Sequence, residues 1–209
     1  MLAPDENVSY VGHMSSQVFE TPRQGLNPRQ AETVEKLLVG GLEELRAVGH
    51  ETLTVRTVAQ RAGVSPATAY TYLASKNHLF AELFWRHLAT SQPERPLAAG
   101  SSPLERLQAT MRALTTRIVE EPELAAAVTP ALLGTDPDVA RLRLKIGSEF
   151  LARFEAALTT PDRPADPAVL EVLVLTFSGA LLQAGMGLMT YDQIAERLVS
   201  AAAVILRGN

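Results

Sequence analysis

The residues best equipped for chemistry lie in one run, Thr54-Val-Arg-Thr-Val-Ala-Gln-Arg-Ala-Gly-Val-Ser-Pro-Ala-Thr-Ala-Tyr-Thr-Tyr-Leu-Ala-Ser-Lys76. The guanidinium of Arg56 can reach a base edge or a phosphate, and the ammonium of Lys76 a phosphate. The hydroxyls of Ser65, Thr68, Tyr70 and Tyr72 can donate to backbone oxygens. Pro66 and Ala67 carry no hydrogen-bonding side chain, yet their small size permits close approach to a groove, where Ala and Thr methyls can meet thymine methyls. Each residue has a plainer role in competition: core packing for Tyr70 and Tyr72, a solvated surface charge for Arg56 and Lys76.

The net charge of −4 argues against a nucleic-acid partner until it is divided along the chain. Residues 1–21 carry three acidic groups and no basic one, residues 22–90 eight basic and six acidic, and residues 91–209 eleven and fourteen. From Thr52 to Ala81 there is no carboxylate at all, while Arg56, Arg61 and Lys76 are present. Attraction to phosphate depends on local potential, so this window can face DNA on an acidic protein.

Other chemistries find little support. There is no cysteine, hence no disulfide framework or thiolate metal site, which suits a reducing cytoplasm. His13, His50, His78 and His87 form no metal-ligand pair, no nucleophile elbow occurs, and Gly185-Met-Gly187 lies in a helical run rather than after a strand. No catalytic residue, metal or cofactor is expected. Residues 1–21 lack the basic start and apolar run of a secretory signal; they read as a disordered tail, with Gly12-His13-Met14 resembling a cloning junction.

The elements that must position the run are helices. Apolar residues recur at helical spacing and no strand alternation stands out. Asn27-Pro28, Ser65-Pro66, Ser102-Pro103, Asp136-Pro137 and Asp166-Pro167 each put a capping side chain before a proline. Ser102 with Glu105 and Thr190 with Gln193 have capping-box spacing. An all-α fold of about nine helices follows, near 28–48, 54–62, 65–72, 75–90, 103–120, 123–133, 137–159, 167–189 and 191–206. The stretch 91–102, with Pro93, Pro96 and Gly100, separates residues 22–90 from 91–209. Between the second and third helices Gly63 can take the positive φ of a tight exit, and Ser65-Pro66 restarts a helix at once, the geometry of a helix-turn-helix.

Residues from about Arg29 to Leu88 resemble the N-terminal domain of the TetR family of transcriptional repressors. The likeness is carried by Gly63-Val64-Ser65 and by Thr68-Ala69-Tyr70-x-Tyr72-Leu73-x-Ser75-Lys76, with Ala69 standing where a larger aliphatic is usual. It implies that Arg56, Thr68, Tyr70, Tyr72 and Lys76 contact operator DNA and that the second part senses a ligand and dimerises. Met111, Leu114, Val128, Leu132, Phe150, Phe177 and Leu181 are the expected lining of an apolar pocket. A weaker likeness of this part to the steroid- and fatty acyl-CoA-responsive branch implies a small hydrophobic effector.

Val172 to Met189 are eighteen positions without a charge, enough to span a membrane by length alone. Thr176, Ser178, Gln183 and three glycines interrupt them, without an aromatic belt. The resemblance favours a homodimer interface of the last two helices instead, with Gln183, Gly187, Leu198, Ala202 and Ile205 facing the partner. The expectation is a cytoplasmic dimer that binds a partly palindromic operator and is released by its effector. An activator, an enzyme and a membrane-associated helical protein are the alternatives.

Overall fold

The computed structural model of the chain describes residues 27–90 and 100–207. The expected tail at 1–21 and most of the connecting stretch lie outside the described residues. Among these there are nine helices and no strand: α1 Pro28–Thr52, α2 Val55–Arg61, α3 Pro66–Tyr72, α4 Lys76–Ala89, α5 Pro103–Val119, α6 Pro122–Leu133, α7 Pro137–Leu158, α8 Pro167–Gly185 and α9 Tyr191–Arg207. All five cap-proline pairs start a helix, with the capping side chain bonded to a first-turn N–H in each. The boxes Ser102–Glu105 and Thr190–Gln193 are closed in both directions.

The last two helices differ from the expected map in one respect. α8 stops at Gly185 instead of running to 189. The N–H of Gly187 bonds to Ala184 O and that of Leu188 to Gln183 O, the paired bonds of a glycine-terminated helix end. Gly187 carries φ +72°. The Gly185-Met-Gly187 segment is therefore a helix terminus and the turn after it, not a helix interior.

One apolar core runs through the described chain, from Leu37, Leu38 and Leu45 of α1 to Ile194, Leu198 and Ala202 of α9. α4 is its hub. Leu79, Phe80, Leu83, Phe84 and Leu88 enter that core, while Ala81 faces a smaller cluster with Val139 and Leu142 of α7. α4 thus packs against α6 and α7 as well as α1. Within the second half α5 packs on α9 and α7, and α8 lies against α9, α7 and α6. Phe177 of α8 is fully buried, with its ring edge-on to Phe150 at 4.8 Å and to Phe154 at 5.5 Å.

Where α8 meets α6 the approach is close enough to demand a glycine. A Cβ on Gly185 would lie 2.3 Å from Thr129 Cγ2 and 2.5 Å from its Cβ. A rotamer change cannot move that Cβ, so the helices must shift. Gly→Ala in a helix otherwise gains up to about 1 kcal/mol, whereas overpacking costs about 1–3 kcal/mol. Gly185→Ala is therefore expected to lower the thermal midpoint, read by circular dichroism; a raised midpoint would show that α6 and α8 are not held this tightly.

Candidate nucleic-acid interface

The interface is assembled from α2, a four-residue turn and α3. Thr54 caps α2 reciprocally with Thr57, and Val55, Val58 and Ala59 anchor the helix in the core. α2 ends with the N–H of Gly63 on Gln60 O and that of Val64 on Ala59 O. Gly63 has φ +66° and a Cβ there would touch nothing within 4 Å, so conformation and not space calls for glycine. Ser65 then caps α3, accepting the Thr68 N–H at 3.1 Å.

α3 has two faces. Ala69 is fully buried, and Leu73 follows it into the core, so a residue larger than Ala69 would crowd the core that α3 shares with α2. Pro66, Ala67, Tyr70 and Thr71 are all exposed, and their spacing puts them on one side of the helix. Tyr70 is 54 % exposed. Thr68 is half-buried and shares a 2.8 Å hydrogen bond with Ser65 Oγ. Tyr72 is half-buried and packs on the core. Thr71, which sequence reading passed over, lies beside Ala67 and donates to its carbonyl at 3.1 Å.

The basic residues separate by partner. Arg61 is taken by Glu44 of α1, Nε to Oε2 at 2.6 Å, with Glu44 buried. Lys76 Nζ donates to His50 O and Glu51 O, both at 3.2 Å. That places its charge on two carbonyls just past the break that Gly49 (φ +73°, ψ 166°) makes in α1, and departs from a purely phosphate-facing Lys76. Arg56 is exposed on the first turn of α2 and makes no ion pair among the described residues.

Two polar joints tie these helices to the rest of the molecule. Ser75 caps α4 by accepting the His78 N–H at 3.0 Å, and its hydroxyl donates to Asp136 Oδ2 at 2.7 Å. Asp136 Oδ1 in turn accepts the Asp138 N–H at 2.9 Å and caps α7. At the far end of α6, Arg46 of α1 grips Glu121 through two N–H groups, one of them Nε at 3.0 Å from Oε2. The Ser75 hydroxyl foremost, then the Asp138 and Val139 N–H groups and the charge of His78, hold the Asp136 carboxyl below its ordinary value against a smaller opposing effect of burial. Glu121 is lowered chiefly by its hydrogen bond to Arg46, against burial, with the charges of Arg46, His87 and Arg117 assisting.

A family model described as "Bacterial regulatory proteins, tetR family" matches residues 37–83, which contain α2, the turn, α3 and the start of α4. Over 184 residues the chain is 42 % identical to an uncharacterized HTH-type transcriptional regulator of Mycobacterium bovis, covering 87 % of this chain and 84 % of that protein. The chain belongs to the TetR family. Its relatives there include the HTH-type transcriptional repressor KstR of Rhodococcus jostii, 28 % identical over 66 % of this chain and 65 % of that one. The same fold occurs in a TetR transcriptional regulator from Rhodococcus sp. RHA1, with TM-score 0.70 and 20 % identity over 88 % of this chain and 99 % of the other. This is a family of transcriptional regulators and not of enzymes.

As a TetR-family chain it has a second half whose expected residues fall into two groups. Met111, Leu114, Val128, Phe150 and Phe177 are buried in one cluster, with Leu132 and Leu181 packed against it. The expected partner-facing residues divide. Gln183 and Gly187 are exposed and Ile205 is half-buried. Leu198 and Ala202, 1 % and 0 % exposed, lie inside the protomer and have no surface to offer a partner, because this face of α9 is the one that packs on α5 and α8. The outward apolar residues are instead Val172 and Leu175 on α8 and Val204 on α9.

Because both joint carboxyls are depressed on folding, their stabilisation is complete above their ordinary values of 3.8 and 4.5 and is lost as pH falls through the lowered ones. Urea midpoints measured from pH 6 down to pH 2 should fall less steeply in Glu121→Gln and in Asp136→Asn than in the parent chain. Equal slopes in all three would show that these joints do not contribute.

Proposed function

We propose that this TetR-family chain is a cytoplasmic transcriptional repressor which binds a partly palindromic operator as a homodimer and releases it on binding a small hydrophobic effector. The observation that carries the reading is the exposed row Pro66, Ala67, Tyr70 and Thr71 of α3, with Arg56 free beside it, in a stretch without a carboxylate from Thr52 to Ala81. A short helix presented in this way fits the major groove, with Ser65, Thr68, Tyr72 and Lys76 at its margins. Repression is supported by the KstR repressors among its relatives.

The dimer reading draws on α8. This helix is apolar and long enough to cross a membrane, and only 22 % of its apolar stretch is buried within the chain, which leaves most of it uncovered. Val172 is 46 % exposed, Leu175 66 % and Val204 of α9 62 %. A helix with one face in its own core and another against a second copy has this character; Ile205 adjoins Val204 near the end of α9, while Gln183 and Gly187 lie at the turn between α8 and α9. The effector reading draws on the Met- and Phe-containing cluster of Met111, Leu114, Val128, Leu132, Phe150, Phe177 and Leu181, which suits an adaptable apolar pocket; a steroid or a fatty acyl-CoA thioester is the favoured class. Release requires the effector to bind better when the two heads are wrongly spaced. The transmitter is α4, whose start is bonded to α7 through Ser75 and Asp136.

Fluorescence anisotropy of the full chain with duplexes enriched from a random pool tests the first part. Affinity should fall steeply with added salt, and Arg56→Ala should weaken binding and reduce the salt slope by about one per half-site if Arg56 meets a phosphate. Salt-independent binding would contradict the reading. Sedimentation should give twice the chain mass, and Leu175→Arg should shift it toward one. Native mass spectrometry against steroid and acyl-CoA panels, followed by operator release, tests the effector.

A further inference from the structure

The chemistry by which α3 reads DNA is visible in what its exposed row lacks. Pro66, Ala67, Tyr70 and Thr71 include no amide, no guanidinium, no ammonium and no carboxylate. The side chains that make paired contacts to guanine, adenine or cytosine edges are of just those kinds. The small hydroxyls nearby are already engaged, which leaves the phenolic hydroxyl of the exposed Tyr70. Thr71 Oγ1 donates to Ala67 O, and Ser65 Oγ and Thr68 Oγ1 share one hydrogen bond while Ser65 also accepts the Thr68 N–H. The two cations flanking the helix are committed within the protein, Arg61 to Glu44 and Lys76 to the end of α1. What α3 offers is a pyrrolidine ring, the methyls of Ala67 and Thr71, and the Tyr70 ring with its single hydroxyl, which cannot make a paired contact to a base edge.

The base-pair feature that complements such a surface is the C5-methyl of thymine, the apolar group in the major groove. We infer that α3 recognises its half-site through thymine methyls, and that paired hydrogen-bonded base readout is confined to Arg56 of α2. The preferred half-site therefore has thymines, on either strand, along the tract under α3, and any guanine read through N7 and O6 lies at its edge, within reach of α2. This inference rests on the DNA-binding reading above and specifies the ligand chemistry of that surface.

The test uses the full chain and duplexes enriched by it from a random pool. Each thymine of the half-site is replaced in turn by deoxyuridine, which removes the methyl and keeps every Watson–Crick and groove hydrogen-bonding group. Removing one buried methyl is expected to weaken binding about fourfold. The loss should occur at two or more positions of the tract and should shrink in Tyr70→Ala or Ala67→Gly, because the contact is then already gone. Replacing guanine by 7-deazaguanine should weaken binding only at the edge position, and Arg56→Ala should abolish that sensitivity. Unchanged affinity with deoxyuridine at every thymine of the tract would overturn the inference while leaving the DNA-binding reading intact, as would 7-deazaguanine losses in mid-tract. Failure to enrich any duplex would overturn both.

Discussion

The structure depends on α4 being shared. A helix that belonged only to the N-terminal three-helix unit would keep a polar outer face, but α4 buries Leu79, Phe80, Ala81, Leu83, Phe84 and Leu88. Part of this surface meets α1, and part meets α6 and α7. The one buried carboxylate on α4, Glu82, is held by Arg86 at 2.7 Å, which also reaches Glu35 of α1 at 3.1 Å. Leaving a buried charge unpaired costs several kcal/mol, so Arg86 satisfies Glu82 within α4, and its bond to the exposed Glu35 adds a weaker link to α1. The lone tryptophan, Trp85, is half-buried one turn on from Glu82, beneath Lys145 of α7, 4.7 Å from the ring centroid. The apolar core through α4 makes the two halves mechanically one body.

The polar joints refine that coupling. Ser75 stands where the reading segment ends and α4 begins, and the residue it bonds, Asp136, stands where α6 has ended and α7 begins. Arg46 and Glu121 do the same at the start of α6. α6 is thereby fastened near both ends to the N-terminal helices, while Gly185 lets α8 press directly on Thr129 in its middle. In the mechanism proposed above, a change on the dimer or effector side would reach α6 through packing and the α2–α3 segment through these two hydrogen-bonded joints. Discrete packed elements transmit such changes better than a deformable core would.

Much of this was legible in the sequence because helix starts are chemically explicit. Five cap-proline pairs announced five helices, since a side-chain acceptor and a residue without an N–H together solve the helix-start problem. Gly63 was legible for the same kind of reason. Gly187 makes the equivalent helix end, yet it is hidden in an apolar run that continues past the cap, so the sequence pattern extends α8 to 189 where the helix ends at Gly185. The sequence periodicity of α9 identified a buried stripe but could not say what it was buried against: Leu198 and Ala202 face their own protomer, not a second copy. Ion pairs far apart in the chain, such as Arg61 with Glu44, were invisible, and with them the reason an acid-free window still has only one free guanidinium among its described residues. Lys76 illustrates the limit well, because a cation at a helix start was legible while the carbonyls it serves belong to another helix.

On the proposed reading, the outward face of α3 meets DNA while α8 and α9 stay clear of it. Amide hydrogen exchange of the full chain, with and without an enriched duplex, separates these surfaces. Slowed exchange is expected in peptides spanning Thr54 to Lys76, and unchanged exchange across Pro167 to Arg207. Protection confined to α8 and α9, or none in the segment from Thr54 to Lys76 under conditions of saturated binding, would contradict that reading.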